Sequence, residues 1–389
     1  MKVSLLTGGG DRPYALGLLS CLLSKDIDVD FLASDELFEP NLMNNPRVVF
    51  YNLRGNQCSN VQLIKKTIRV IRYYFRLIIY AYKTDSYLFH IVWFNKFIYF
   101  DRTFMNVYYK MLGKKLIHTA HNIDQQERDG KSNVFNRFTL KIMYNLLDHI
   151  FVHTDKMKKQ LMERFQVDEK KISVIPFGIN DTVPLTALST KQAREKLGLN
   201  NTDKVILFFG NIAPYKGLEY LLMAMPILRE NIEQVKLIIA GRIKNCNSYW
   251  RQIQSIKRNS NLENVIIEKT EFIPEEDVEI YYKAADVLIL PYRHIFQSGV
   301  LFLSYNFGLP VIATNVGSLR EDILDGEIGY LCQPENPADL AEKIIQYFDS
   351  SLYENIEKNR NGIIMYAKEK YSWDKVGNIT ISVYQSIIK

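Results

Sequence analysis

Short apolar runs alternate with longer amphipathic segments along almost the whole chain. The runs are rich in Val, Ile, Leu and Phe and have the length of buried strands, while the segments between them are long enough for helices. Because strands that alternate with helices pair in parallel, this pattern predicts an α/β protein with two doubly wound parallel sheets. The predicted strands are Lys2–Leu6, Val29–Ala33, Val48–Tyr51, Leu88–Trp93, Leu116–Thr119, His149–His153, Ile172–Ile175, Val205–Phe209, Lys236–Ala240, Asn264–Glu268, Val287–Leu290, Val311–Ala313 and Gly329–Leu331.

The length of the chain, 389 residues, predicts two domains rather than one core. The segment IPFGINDTVP, at 175–184, places Gly, Asn, Asp and Pro between a predicted strand and a charged helix. We therefore predict one domain over residues 1–180 and a second over 181–372. The last segment, 373–389, has the pattern of an amphipathic helix, which we expect to pack back on the first domain.

The composition is that of a folded protein, with 47% hydrophobic and 24% charged residues. No apolar run reaches the ~20 residues that span a bilayer, and the start of the chain enters a strand rather than a signal peptide. These features predict a cytoplasmic location. The four cysteines lack metal or disulfide spacing, and neither half carries the GxGxxG of a nicotinamide or flavin domain, which argues against an oxidoreductase.

Two predicted junctions of strand, loop and helix have the features of a phosphate site. In FFGNIAPYKG, at 208–217, a strand breaks at Gly210 and the loop brings Lys216 to the start of a helix; the second junction opens an apolar helix at Ser298 and Gly299. Loops at the carboxyl ends of parallel strands form the ligand crevice, and helix N-termini there present free N–H groups. The pattern predicts that Lys216 and the helix start bind a diphosphate. A solvated lysine and a simple helix cap are the alternatives.

Four motifs in order resemble the retaining family four of the GT-B glycosyltransferases: VIPFGIN at 174–180, GNIAPYKG at 210–217, AADVLILPY at 284–292 and GLPVIATNVGSLRE at 308–321. The resemblance implies an α/β GT-B fold of two Rossmann-like domains with a nucleotide sugar in the cleft between them. It also implies metal-independent transfer, with retention, from a nucleoside diphosphate sugar to a saccharide or lipid-linked saccharide. The expected setting is bacterial surface polysaccharide or glycan synthesis, with no cofactor besides the donor.

The resemblance also implies a set of donor-binding residues. The chain departs from the family pattern in two ways. Asn211 stands where the family carries a phosphate-binding arginine, and Arg242 is a candidate substitute. The usual Glu, seven residues, Glu pair is missing, since its positions fall at Ile295 or Phe296 and at Leu303 or Ser304. The expected donor-binding residues are Gly210, Asn211, Lys216, Arg242, Phe272, Ile273, Gln297, Ser298, Gly299, Val300, Ser304 and Glu321, with Gln297, Ser298 and Ser304 as neutral replacements for the carboxylates and Glu321 as a further substitute.

The first domain contributes three candidate features. Gly8, Gly9 and Gly10 follow the first predicted strand and would let backbone N–H groups approach a ligand closely, a tight turn being the alternative. The resemblance implies that this loop closes over the diphosphate and the acceptor. His121, at the end of a strand, aligns with the family histidine that contacts the transferred sugar, so that Lys216 and His121 are the expected catalytic residues. The sequence Asp28-Val29-Asp30 imitates a metal-binding motif but reads as a solvated strand end, and no metal is predicted.

A basic amphipathic helix is predicted over 61–82. Lys65, Arg69, Arg72 and Arg76 form one stripe beside an apolar stripe. A solvated helix is one interpretation; the other is a surface that contacts anionic lipid at the inner face of the cell membrane. Nucleic-acid binding is disfavoured because no fold of that class accompanies the stripe.

Two other functions remain open at the level of the sequence. The missing carboxylate pair favours a catalytically silent GT-B protein that binds a nucleotide sugar or a partner. A third possibility is a related chemistry such as sugar-nucleotide epimerisation, which would form product without an acceptor.

Overall fold

The structure is a computed structural model that describes residues 1–57, 62–95, 97–124, 132–180, 183, 185–244, 246–295 and 297–388. The predictions for Val61, Phe296 and part of the segment at 181–184 concern residues outside these ranges. The chain forms two compact units. Unit 1 is Met1–Gly178 together with Tyr371–Lys389, and unit 2 is Ile179–Lys370.

Unit 1 contains a sheet of seven parallel strands in the order β3-β2-β1-β4-β5-β6-β7. Its inner strands are buried on both faces, as continuous apolar sequences in a parallel sheet should be. The strands are β1 Lys2–Leu6, β2 Asp28–Ala33, β3 Val48–Asn52, β4 Leu88–Ile91, β5 Lys115–Thr119, β6 His149–Val152 and β7 Ile172–Val174.

Unit 2 contains a sheet of six parallel strands in the order β10-β9-β8-β11-β12-β13. The predicted fold class, two doubly wound parallel sheets, is therefore confirmed. The strands are β8 Lys204–Phe209, β9 Val235–Ala240, β10 Ile266–Lys269, β11 Val287–Leu290, β12 Val311–Thr314 and β13 Gly329–Cys332.

Helices connect the strands and cover both sheets, because a parallel pair needs a crossover of a dozen or more residues. The described α-helices are α1 Arg12–Ser24, α2 Pro40–Met43, α3 Leu63–Lys83, α4 Ile98–Phe100, α5 Asn106–Met111, α6 Val134–Leu146, α7 Asp155–Phe165, α8 Thr190–Lys196, α9 Leu218–Asn231, α10 Asn247–Asn259, α11 Glu275–Ala284, α12 Gly299–Asn306, α13 Leu319–Asp322, α14 Pro337–Phe348, α15 Ser351–Glu354, α16 Ile356–Lys370 and α17 Trp373–Ile388.

Helix α17 belongs to unit 1 and packs against α1. A Cβ on Gly17 would fall 2.2 Å from the Trp373 ring, and one on Gly178 would fall 2.7 Å from it, so both positions have room only for glycine. Farther along the helix, the Tyr384 hydroxyl lies 2.6 Å from Nδ1 of the buried His90 on β4. Helix α17 is thus part of the unit 1 core.

Each sheet has a switch point where the chain leaves neighbouring strands in opposite directions. In unit 1 it lies between β1 and β4, and in unit 2 between β8 and β11. In open α/β sheets, ligands bind outside the carboxyl ends of the strands at such points. A ligand site is therefore expected in the loops after these four strands.

Five of the six histidines lie in unit 1 and are buried, whereas His294 in unit 2 is exposed. Burial lowers the pKa of His90 to about 3. It lowers the pKa values of His118, His149 and His153 to about 4, and it holds the pKa of His121 well below its usual range. These side chains are neutral in the folded unit at neutral pH.

We predict that unit 1 is acid-labile. A histidine with a lowered folded pKa takes up a proton on unfolding, so its contribution to stability is complete above an unfolded pKa of about 6.5 and is lost as the pH falls towards 4. Each fully buried histidine adds a slope of about 1.4 kcal/mol per pH unit to the free energy of unfolding. Trp250→Phe leaves Trp93 and Trp373, both in unit 1, as fluorescent reporters. The urea midpoint of this variant should fall steeply between about pH 6.5 and pH 5. A constant midpoint would contradict the prediction.

Candidate functional site

The loop after β8 brings a lysine back against the end of the neighbouring strand. Gly210 has φ +96°, and a short 3₁₀ turn over Pro214–Lys216 ends at Gly217 with φ +65°. A Cβ on Gly217 would lie 1.9 Å from the carbonyl oxygen of Pro291, just after β11. The glycine therefore permits both the left-handed turn and the close contact that bury Lys216 beside β11.

Lys216 is the centre of this arrangement, and only 5% of it is exposed. Its Nζ donates a hydrogen bond to the Tyr292 hydroxyl at 3.1 Å and lies 5.0 Å from the centroid of the same ring. That hydroxyl is also 3.2 Å from Ser298 Oγ. A Cβ on Gly210 would be 3.2 Å from Nζ and 3.3 Å from Cγ2 of Val300. The two junctions singled out in the sequence therefore meet at one place.

Helix α12 begins at this place. Ser298 occupies its N-cap position with an extended backbone, but its side chain does not cap the first turn. Its hydroxyl faces Tyr292 instead. A free helix N-terminus carries a partial positive charge and unpaired N–H groups. With Gly299 and Val300 in its first turn, α12 supplies these groups next to the Lys216 ammonium, and both features favour an anion.

Asn211 and Arg242 lie together at the same edge of the sheet. Arg242 follows β9, is exposed, and donates from Nε to Asn211 Oδ1 at 3.2 Å. The structure thus places a guanidinium beside the position where the family has its arginine. Phe272 is 68% exposed and Ile273 is half-buried in the loop after β10.

Two other residues expected at the donor site, Gln297 and Ser304, have hydrogen-bond partners within unit 2. Gln297 donates from Nε2 to Asp322 Oδ2 at 3.2 Å and accepts from Ser318 Oγ at 2.7 Å. Ser304 is fully buried, and its hydroxyl donates to the Leu309 carbonyl at 2.8 Å. Glu321 is exposed, whereas the adjacent Asp322 is buried and holds Gln297.

Arg293 is a residue that the sequence analysis missed. Its backbone N–H donates to the Tyr215 carbonyl at 2.9 Å, which joins the end of β11 to the lysine loop. Its guanidinium pairs with the buried Glu219, which also accepts from the Tyr249 hydroxyl. A strand-end arginine carries no sequence signal for this role, since its partner is distant in the chain. Arg293 therefore stabilises the loop that positions Lys216.

In unit 1 the glycine loop after β1 is enclosed by two side chains. Gly8 and Gly9 have φ +55° and +95°. A Cβ on Gly8 would fall 2.0 Å from the Trp93 carbonyl oxygen, one on Gly10 1.8 Å from the Trp93 ring, and one on Gly9 1.8 Å from Arg54 Nη1. The loop thus needs glycine for close packing as well as for its backbone conformation.

His121 follows β5 and lies against Trp93, with ring centroids 4.1 Å apart and planes inclined by 7°. A hydrogen bond to His153 determines the tautomer of His121. His153 Nδ1 is 3.3 Å from the Ile175 carbonyl, which only accepts, so that nitrogen carries the proton. His153 Nε2 is then the acceptor of a hydrogen bond that Nδ1–H of His121 donates at 3.0 Å. Within the described residues, Nε2 of His121 is buried without a hydrogen-bond partner, and it is left with a lone pair.

The remaining candidates of unit 1 have local partners. His118 Nδ1 lies 2.8 Å from the Ile91 carbonyl, as befits a packed strand residue. Asp28 pairs with Arg47, and the buried Asp30 accepts from the Tyr80 hydroxyl at 2.7 Å. Throughout the described ranges, no group of three or more His, Cys, Asp or Glu side chains is arranged to hold a metal ion.

Helix α3 presents its basic residues in two directions. Lys65, Arg72 and Arg76 are exposed, whereas Arg69 is half-buried. Apolar side chains beside the exposed ones also face outward, Ile64 being 72% and Phe75 64% exposed. No helix in the described part of the chain combines the length and the hydropathy needed to cross a bilayer.

Two family models together match nearly the whole chain. Residues 189–370 match the family described as glycosyl transferases group 1, and residues 8–183 match glycosyltransferase family 4. The D-inositol 3-phosphate glycosyltransferase of Corynebacterium aurimucosum is 27% identical over 244 residues, or 60% of this chain and 58% of that protein. The chain thus spans a little over half the length of such curated relatives.

Solved structures show the same fold at low identity. Sucrose-phosphate synthase from Thermosynechococcus elongatus has a TM-score of 0.76 at 19% identity, covering 100% of this chain and 99% of that one. HepE of Anabaena, in complex with UDP-glucose, has a TM-score of 0.74 at 16% identity, covering 99% and 100%. The chain is therefore a member of glycosyltransferase family four, and its two parallel-sheet units are those of a GT-B glycosyltransferase.

Proposed function

We propose that this glycosyltransferase moves a sugar from a nucleoside diphosphate sugar to a saccharide or lipid-linked saccharide in the synthesis of a bacterial surface polysaccharide or glycan. The observation that carries the proposal is the buried Lys216 ammonium beside the N-terminus of α12. HepE of Anabaena, which shares the fold, binds UDP-glucose, a donor of this class. The similarity to D-inositol 3-phosphate glycosyltransferases supports sugar transfer to a hydroxyl-bearing acceptor.

The chemistry follows from the charge that develops on the leaving diphosphate. Cleavage of the sugar–phosphate bond builds negative charge there, and groups fixed in advance stabilise it without reorganisation. Lys216 donates a charge-assisted hydrogen bond, and the N–H groups of Gly299 and Val300 add the helix dipole. The leaving phosphate then helps to deprotonate the acceptor hydroxyl on the same face, so that the configuration is retained. The proposed reaction uses no metal and no cofactor.

His121 takes a complementary role in the proposed site. Its Nε2 lone pair can accept a hydrogen bond from a hydroxyl of the transferred sugar. Its pKa is held well below the usual range, mainly by burial, so this acceptor is present at neutral pH. His153 acts as the positioning residue that keeps the proton on Nδ1.

One observation favours a second candidate, a catalytically silent protein that binds a nucleotide sugar. Gln297 and Ser304, the neutral residues near the missing carboxylates, are bound to Asp322, Ser318 and the Leu309 carbonyl. Donor binding without turnover over a broad acceptor panel would support this candidate.

We also propose that unit 1 contacts the anionic inner face of the cell membrane. Exposed apolar side chains on α3 and on the segments after it lie among exposed arginines and lysines. Tyr74 of α3 stacks on Phe97 and meets the ring of Phe100 edge to face, which joins α3 to the segment after β4. The largest exposed apolar side chains of this face are Ile64, Ile68, Ile71, Phe75, Tyr82, Phe97, Phe104 and Met111.

Lys216→Met tests the donor site. Methionine keeps the stem that packs on Tyr292 but removes the charge, so kcat should fall by at least about tenfold because transition-state stabilisation is lost. Thermal stabilisation by UDP, GDP and ADP, which reaches ~2.7 kcal/mol at a hundredfold the Kd, identifies the nucleotide and should weaken in the variant. Lys244→Met, at an exposed lysine of the same unit, is the control. Equal turnover in both variants would remove Lys216 from the phosphate role.

His153→Leu tests the positioning role. Leucine cannot accept the Nδ1 proton of His121, so the proton should move to Nε2, and kcat/KM should fall by about tenfold, the worth of one hydrogen bond to the sugar. Nitrogen-15 NMR of the imidazoles reports the tautomer directly. His153→Gln can accept from His121 and donate to the Ile175 carbonyl, and it should restore both readouts. An unchanged tautomer in His153→Leu would refute the assignment.

Removing Arg72 and Arg76 tests the membrane face. Arg72→Gln/Arg76→Gln should reduce binding to phosphatidylglycerol vesicles by about 30-fold at low salt, at ~1 kcal/mol for each basic residue. Co-sedimentation measures the binding, and Arg251→Gln/Arg258→Gln removes the same charge from exposed positions on α10. Equal losses in both double variants would point to net charge rather than to this face.

A further inference from the structure

Three basic side chains of unit 1 line one pocket near the glycine loop. Arg54 comes from the loop after β3, and Lys66 and Arg69 lie three residues apart on one face of α3. The remaining lining residues are Gln57, Val70, Tyr73 and Asn95. The pocket is small and opens to solvent, so a bound phosphate would lie at its mouth, within reach of the three cations.

Arg54 is a buried cation without an ion-paired carboxylate. Only 9% of it is exposed, and its Nη2 donates to Gln57 Oε1 at 3.3 Å. Burial is also the main cause that lowers the pKa of its guanidinium, while the carboxylates of Glu36 and Asp101 act in the opposite direction. In the parts of the chain that the structure describes, neither Arg54 nor Lys66 nor Arg69 forms an ion pair with a carboxylate. A buried charge is costly unless an opposite charge meets it.

Packing alone explains part of this arrangement. The Arg54 guanidinium lies against Gly9, where an added Cβ would be 1.8 Å from Nη1, so it supports the glycine loop. Lys66 and Arg69 line the same pocket, whereas Lys65, Arg72 and Arg76 of the same helix are exposed. The helix thus separates a pocket-facing pair of cations from its outward-facing ones.

We propose that this pocket binds a phosphate or diphosphate group carried by the acceptor. The ammonium of Lys66 and the forked guanidinium groups of Arg54 and Arg69 offer donors suited to phosphate oxygens. The pocket adjoins the loop at the switch point of the unit 1 sheet, whereas the donor diphosphate is assigned to Lys216 and α12 in unit 2. The identification of the ligand as an acceptor rests on the proposed function.

Two kinds of acceptor carry a phosphate or diphosphate group. It is present in a soluble sugar phosphate, of the kind that D-inositol 3-phosphate represents for the curated relatives, and in a polyprenyl diphosphate carrier in a membrane. The exposed apolar face of α3 lies beside the pocket and suits the second source, and the experiment separates the two.

Calorimetric titration of the full chain with inorganic pyrophosphate tests the site, with UDP present in excess to occupy the donor site. Lys66→Gln and Arg69→Gln should each weaken pyrophosphate binding by about tenfold, the worth of one charge-assisted hydrogen bond. Lys83→Gln removes the same charge as Lys66→Gln from an exposed position on the same helix, and the affinity should then change less than about twofold.

Two results would overturn the proposal. Equal losses in Lys66→Gln and Lys83→Gln would mean a diffuse effect of charge, and loss of pyrophosphate binding when UDP is added would assign the pocket to the donor. Failure of the proposed function is distinguishable, because it would appear as absent UDP binding and turnover while the titration with pyrophosphate still responds to Lys66→Gln.

Vesicles distinguish the source of the phosphate. Phosphatidylcholine vesicles carrying a few per cent polyprenyl diphosphate are compared with vesicles carrying phosphatidylglycerol at equal charge. If Arg69→Gln weakens binding to the first more than to the second, the site takes a lipid-borne diphosphate. If it weakens both equally while the response to soluble pyrophosphate persists, the site takes a soluble phosphate.

Discussion

The switch point of a parallel sheet is the constraint on which the rest of this molecule depends. Strands β8 and β11 are neighbours, yet the chain leaves them in opposite directions, so no crossover covers their carboxyl ends. That gap holds Lys216, Tyr292 and Ser298, residues far apart in sequence, within hydrogen-bond reach. The equivalent gap between β1 and β4 holds the glycine loop against Trp93. The order of the strands thus determines where these side chains meet, and the loops determine which side chains they are.

Two buried arginines show how the surroundings of a cation separate a structural role from a binding role. Arg194 of unit 2 has a bidentate partner in Asp286 at 2.9 Å, and it also donates to two backbone carbonyls. Its charge is met inside the fold, so it stabilises unit 2. Arg54 of unit 1 is buried as well, but it lies against a glycine loop and the amide of Gln57, beside an open pocket. A bound anion would give Arg54 the opposite charge that Asp286 gives Arg194.

The sequence was sufficient for the fold, because every predicted apolar run forms a strand and parallel sheets bury such runs on both faces. It also indicated that Lys216 and the start of α12 would share an edge, since loops after parallel strands do so. It could not distinguish Arg69 from Arg72, because helical periodicity groups residues without saying which side meets a pocket. It also missed His153 and Arg293, whose roles depend on Ile175, His121 and Glu219, contacts that only tertiary packing creates.

Unit 2 is, in covalent terms, an insertion into unit 1 between Gly178 and Tyr371. Gly178 touches the Trp373 ring, so the two ends that flank the insertion are already in contact. Unit 2 is therefore encoded by one continuous gene segment. Joining residues 178 and 371 through a short linker would make unit 1 one continuous chain without altering the order of its strands.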